Sequence, residues 1–326
     1  MDRRTACLSL LAVGPLAASI ARAQPARKAR VAWVSMEPPS PESPFLAAFR
    51  SGLRALGWSE GQNVDLDTWG ADNSRDRLLA LIPQIDASRP DVIVAASGLA
   101  VRPLIDANLQ PPLVFVVSAD VVIAKVVQSW SRPGVNRTGI SFFSLDLAPK
   151  RVQLMKELLP GLRRLAFVGW PPHSGELLEL EAARQAADAL GLQHQYHGVD
   201  TAAELDAAFE RIAQWNADAI LVFAGTVANV HVDRFAAFAA RSRIPAVSAW
   251  AQFAERGNLM TFGPVLKESY GRLASIVDRI LKGAKAAEIP VELPTKFELV
   301  INMKAAKTLS IAVPRSMLER ADRLID

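Results

Sequence analysis

"VAWVSMEPPSPESPFLAAFRSGLRALG", residues 31–57, is the stretch that decides the fold. An apolar run, Val31 to Val34, stops at Ser35 and enters a loop carrying four prolines. The residues after Pro44 have helical spacing and end at Gly57, a favoured residue just past a helix end. A strand that runs through a loop into a helix is the unit from which open parallel sheets are built. Such sheets bind ligands outside the carboxyl ends of their strands. The loop has no Gly-x-Gly-x-x-Gly, the pattern that lets a backbone wrap a pyrophosphate, so it suits a small solute rather than a dinucleotide.

The same alternation continues downstream. Strands are predicted over 64–69, 91–96 and 113–117, with helices over 76–88 and 99–108 between them. The second half repeats this order, with strands over 164–168, 194–199, 219–223 and 245–248. Its helices are predicted over 176–190, 202–215 and 232–241. Local texts recur as well: "VAWV" as "LAFV", "RPDVIVAASG" as "NADAILVFAG", "PPLVFVV" as "IPAVSAW". Offsets near 130 residues are far too long for a solenoid and suit two tandem α/β lobes, each a parallel sheet flanked by helices. A long amphipathic helix over 265–282, a strand "FELVIN" and a helical tail follow, without counterparts in the first half. Segments near 130–150, 250–264 and 286–300 are rich in Gly, Pro and polar residues and are read as crossings that form a multi-segment hinge. The expected division is 29–140 with 264–288 for the first lobe, and 141–263 with 289–326 for the second.

Residues 1–23 are expected to lie outside the fold. A basic start, a short apolar run broken by Gly14 and Pro15, and Ala21-Arg22-Ala23 form the pattern of a cleavable secretory signal, cut after Ala23. A periplasmic location follows. The single cysteine, Cys7, falls in that segment, so the mature chain would have no disulfides, thiolate metal sites or cysteine nucleophile. The formal net charge of +4 is too small to imply nucleic acid as a partner. Gly-x-Ser-x-Gly, the phosphate-binding Gly-x4-Gly-Lys and His-Glu-x-x-His are all absent. His194 and His197 lie three apart on a strand and so point to opposite faces, which argues against a shared metal. Enzyme signals are thus thin, no metal or cofactor is implied, and monomer is the default; the expectation that the chain is not an enzyme comes with the resemblance that follows.

"GAKAAEIPVELPTKFELVINMKAAKTLSIAVP", residues 283–314, resembles the C-terminal signature of a family of ABC-transporter substrate-binding proteins that includes tryptophan- and tyrosine-type members. "LRALGWSEGQNVDL", "SRPGVNRTGIS" and "GNLMTFGP" resemble it too, in the right order. The resemblance implies a type I periplasmic-binding-protein fold with three crossovers, a small-molecule ligand in the cleft and no catalysis. It also implies delivery to a membrane permease with a cytoplasmic ATPase. Two positions depart from the family pattern: Asp120-Val121 and Gly225-Thr226 stand where Asp-Pro is frequent. Ligand identity therefore does not transfer, and an amino acid or a small carboxylate or amide is expected. A periplasmic sensor module, or an exported hydrolase or isomerase using Asp120 or Glu37 as base, is the alternative.

Strand ends give the candidate ligand contacts. In the first lobe they are Ser35, Met36, Ser97, Gly98, Ser118 and Asp120. In the second they are Trp170, Gly225, Thr226, Ser248 and Trp250. Ser97 and Gly98 precede a helix, whose free N–H groups suit a carboxylate, although Ser97 would serve equally as a helix cap. Asp120 would pair with an ammonium or cap a turn. Trp170 and Trp250 would close over an apolar body or pack the lobes together. Glu37 is read as solvated.

Overall fold

The computed structural model describes residues 27–38, 40, 42–142, 145–171, 175–225 and 230–326. The proposed signal segment and Thr226 lie outside the described residues. Among those described, the strands form two sheets.

The first sheet is parallel throughout, in the order β2-β1-β3-β4-β5. Its strands are β1 (Ala29–Ser35), β2 (Val64–Gly70), β3 (Val92–Ala95), β4 (Leu113–Val117) and β5 (Arg137–Ser141). Helices α1 (Pro44–Ala55), α2 (Arg75–Ala87) and α3 (Gly98–Asp106) connect the first four strands. The sequence sets these ends. Ser43 caps α1 by accepting the Leu46 N–H, and Ser74 caps α2 by accepting the Arg77 N–H.

The second sheet repeats the order. Strands β6 (Arg164–Gly169), β7 (Gln193–Gly198), β8 (Ala219–Val222), β9 (Ala246–Ser248) and β10 (Met260–Pro264) lie as β7-β6-β8-β9-β10. Helices α4 (Leu147–Leu158), α5 (Glu176–Ala189), α6 (Ala202–Gln214), α7 (Val232–Ser242) and α8 (Ala251–Glu255) accompany them. The sheet then extends by β11 (Phe297–Asn302), antiparallel to β10, and β12 (Arg323–Ile325), parallel to β11. Helices α10 (Met303–Thr308) and α11 (Arg315–Arg320) fill the tail.

The molecule is thus a two-lobed α/β protein, and its repeat is one strand longer in each lobe than the sequence reading. Residues 137–141 and 260–264, read as parts of crossings, are sheet strands. Each holds a glycine where its neighbour's backbone comes too close for a side chain. A Cβ on Gly139 would overlap the Phe115 carbonyl, and one on Gly263 the Ala249 carbonyl. That glycine is what makes both segments look like loops.

The halves also exchange a helix. After β5, α4 packs on the second sheet, with Val152, Met155 and Leu158 in a core beside Leu165 and Phe167. After β10, α9 (Leu266–Leu281) returns to the first lobe, where Leu273, Ile276 and Val277 pack with Val31, Phe49 and Val94. The α1–α9 crossing is close because it is made at Gly52, where a Cβ would overlap the Gly271 carbonyl. Residues beyond the short 3-10 turn Ala286–Glu288 run beside β5, with the Glu292 N–H donating to the Gly139 carbonyl, before entering β11.

Candidate functional site

The carboxyl ends of β1, β3 and β4 face those of β6 and β9 across a cleft holding two adjoining cavities of about 500 and 450 Å³. Both are lined by Glu37, Ser97, Gly98, Ser118 and Trp250, which form the partition between them. This size suits a small organic solute.

The first cavity has an aromatic floor made by the first lobe. Trp33 comes from β1, Phe45 from the start of α1, Phe142 from the end of β5 and Tyr270 from α9. The Tyr270 ring stacks on Phe45 with centroids 4.4 Å apart and lies 6.0 Å from Trp33 and 6.2 Å from Phe142. Its hydroxyl donates to the Ala96 carbonyl at 2.8 Å, which fixes the ring beneath the cleft. Burial, reinforced by the Glu37 carboxylate, pushes the phenol pKa up, so it stays a neutral donor. Trp250 and Phe253 provide apolar surface from the second lobe.

Gln252, Glu255 and Arg256 line the first cavity from the second lobe, and further polar groups sit at the partition. Ser97 is the N-cap residue of α3, yet its side chain makes no capping bond, which leaves the hydroxyl available to the cleft. The Ala100 N–H is taken by the Ser97 carbonyl, which leaves the Gly98 and Leu99 N–H groups at the positive end of α3. Glu37 is exposed, lines both cavities, and has no ion-pair partner among the described residues. A carboxylate acceptor, an array of N–H donors and an aromatic floor therefore border one space.

The strand-end residues divide accordingly. Ser35 lines the first cavity, Met36, Trp170 and Gly225 the second, and Ser97, Gly98, Ser118 and Trp250 both. Asp120 lines neither. Its Oδ1 accepts the Val122 and Ile123 N–H groups, each at 2.9 Å, so it caps the turn after β4. Ser248 is also removed from the cleft: it is buried, and its hydroxyl donates to the Val222 carbonyl at 2.9 Å. The acidic side chain facing the cleft from the first lobe is Glu37, which the sequence reading left to solvent. Phe45 and Tyr270 were missed because they belong to helices rather than strand ends.

Behind the second lobe's wall lies a buried charged cluster. Arg151 on α4 donates to Glu179 at 3.0 Å and to the Phe262 carbonyl at 2.8 Å. Burial pushes the Glu179 carboxyl up, and the Arg151 guanidinium opposes that shift. One turn earlier on α5, Glu176 accepts the Tyr196 hydroxyl at 2.9 Å and the Trp170 backbone N–H. Its pKa is raised to about 7, chiefly by burial and further by Glu179. Its carboxyl lies where a Cβ on Gly169 would be. Trp170 itself donates its indole N–H to Asp200 at 2.6 Å.

Residues 43–325 match the family described as ABC transporter substrate binding protein. The chain belongs to that family. It is a family of substrate-binding proteins. A tyrosine-binding protein from Clostridioides difficile is 20% identical over 264 residues, covering 81% of this chain and 75% of that protein. A conserved domain protein from Vibrio cholerae superposes with a TM-score of 0.81 at 27% identity, covering 91% of this chain and all of the other. The ABC domain from Streptococcus pneumonia in complex with L-Trp superposes at 0.83 with 22% identity and the same coverage, a likeness of fold. The fold is therefore that of a two-lobed, type I periplasmic binding protein.

Proposed function

We propose that this family member captures an aromatic amino acid in its inter-lobe cleft and delivers it to the permease of an ABC import system. The observation that carries the reading is the first cavity: an aromatic floor of Phe45 and Tyr270 beside the Glu37 carboxylate and the open start of α3. An α-amino acid has matching parts. Its ammonium would sit at Glu37, its carboxylate at Ser97 and the α3 N–H groups, and its ring on the aromatic floor. The C. difficile relative, named for tyrosine, and the L-Trp complex of the S. pneumonia protein support an aromatic side chain.

On this reading residues 1–23 are a signal peptide, the mature chain works in the periplasm as a monomer, and the permease is its partner. The hinge comprises the three passages between lobes, after Ser141, after Pro264 and after Glu288. Closure would bring Trp250 and Phe253 down on the ring.

Titration calorimetry of L-Trp, L-Tyr and L-Phe against tryptamine and indole-3-propionate tests the assignment. Each single-charge analogue should bind at least tenfold more weakly than L-Trp, and Glu37→Gln should weaken L-Trp by a similar factor. Equal binding of L-Trp and indole-3-propionate would remove Glu37 from the site. No response to any of the three amino acids would overturn the ligand class.

A further inference from the structure

The first cavity is large enough for a free amino acid, and the aromatic floor, Glu37 and the α3 start account for every part of one. The second cavity, about 450 Å³, opens on the other side of the same partition and is left over. Its character differs. Among the described residues that line it, the charged ones apart from Glu37 are both cations: Arg75, the first residue of α2, and Arg102, on α3. Arg102 is partly committed, donating to the Ala124 carbonyl and standing 3.7 Å from Asp106. Arg75 is exposed and has no ion-pair partner among the described residues. Met36, Val126 and Trp170 add apolar lining to the same cavity. The positive end of α3 has the same sign. With Glu37 assigned to an ammonium, no other acidic residue among the described residues lines this cavity to balance Arg75, and Arg102 has only Asp106 outside it.

We infer that the full ligand spans both cavities: an aromatic amino acid extended through its carboxyl group to an anionic end, such as a short peptide with an N-terminal aromatic residue and an acidic C-terminal residue. The inference rests on the amino-acid reading above for the ammonium and ring. The start of α3 then binds the peptide carbonyl, which is also an acceptor, and the terminal and side-chain carboxylates lie toward Arg75 and Arg102. Arginine is suited to this role because its planar fork pairs with carboxylates in two-point fashion. A partly exposed ion pair contributes modestly, so the preference should be a factor of about five to ten and should shrink as salt is raised.

The test is calorimetry on the whole chain with L-Trp, Trp-Glu and Trp-Lys, for the native sequence and for Arg75→Glu. Arg75 is exposed at the first position of α2, so this substitution should leave the fold intact, which a matched melting curve verifies. The expected result is Trp-Glu binding at least fivefold tighter than Trp-Lys, with that ratio lost or reversed in Arg75→Glu. Three results would overturn the inference: equal affinities for the two dipeptides, a ratio that survives Arg75→Glu, or binding of L-Trp with neither dipeptide binding. The last would leave the amino-acid reading standing. Binding of Trp-Glu without L-Trp would do the opposite, supporting the two-cavity ligand and removing the free amino acid.

Discussion

Each lobe is completed by a helix from the other half of the chain, and the two exchanged helices do this with different chemistry. In the first lobe α9 contributes Leu273, Ala274, Ile276 and Val277, all fully buried, and its buried polar groups are Ser269, the Tyr270 hydroxyl and Asp278, which accepts the Trp58 indole N–H and pairs with the exposed Lys282. In the second lobe α4 contributes Val152 and Met155 but also Arg151, whose side chain is 3% exposed against 7% for Glu179. One topological position thus accepts either a mainly apolar ridge or one that carries an ion pair buried on both sides. The difference is in what failure does. An apolar ridge loses packing in proportion to what is removed. A buried pair stabilises little on balance, yet removing one member strands the other in a low-dielectric interior. Arg151 also holds the Phe262 carbonyl on β10, the strand that leads into the second passage between lobes. The second lobe therefore ties its wall to its hinge through a fully buried charge pair, whereas the charged tie of the first, from Arg272 on α9 to Glu292 in the third passage, is partly exposed.

The largest effect should come from breaking the pair. Arg151→Met leaves Glu179 unpaired and the Phe262 carbonyl without its donor, and should cost about 3–5 kcal/mol in urea unfolding. Adding Glu179→Leu should recover most of that loss. A single variant within about 1 kcal/mol of the native chain would erase the contrast between the lobes.

A smaller effect is carried by protons and should be confined to the second lobe. The carboxyl of Glu176, raised to about 7, holds its proton more tightly in the folded than in the unfolded chain. Its contribution to stability is fully present below about pH 4.5, falls as the pH rises toward 7, and is gone above it. The whole span is at most about 3.4 kcal/mol, at 1.36 kcal/mol per pH unit. Chemical denaturation across pH 5–8 should show this decline, and Glu176→Gln should flatten it. A decline unchanged in Glu176→Gln would place the titration elsewhere.

The mildest change belongs to the first lobe. Tyr270→Phe removes one hydrogen bond to the Ala96 carbonyl while keeping the ring, and should cost about 1 kcal/mol. No dependence on pH between 5 and 8 should accompany it, and a thermal melt at two pH values would show whether any does.

Much of this architecture was legible in the residues. Val31–Val34, the capped α1 and the recurrence of the same local text identify two α/β units, because period and turn chemistry are local properties. The fifth strand of each lobe was not legible. Gly139 and Gly263 answer to a neighbouring backbone that only the folded sheet brings near. The strand-end rule placed Ser97, Gly98, Ser118 and Trp250 at the cleft, where they line it. Asp120 and Ser248, expected there too, line neither cavity, and Glu37, read as solvated, lines both. Asp120 and Glu37 are both acidic residues just past a strand, and only the turn after β4 reveals which carboxylate its own backbone engages. Tyr270 was beyond reach for another reason: it stands 237 residues from Trp33, its neighbour in the floor.

That separation bears on how the protein is made. The face of α1 that carries Phe49 and Leu53 is covered by α9, so the first lobe to be synthesised is among the last to be finished. A ribosome that had completed five strands and three helices would still have produced a half-built lobe, greasy on one side and lacking a quarter of its aromatic floor. Until residue 281 emerges there is no site for a ligand to occupy, and a chain cut short before that point should be a substrate for chaperones and proteases rather than a weaker binder.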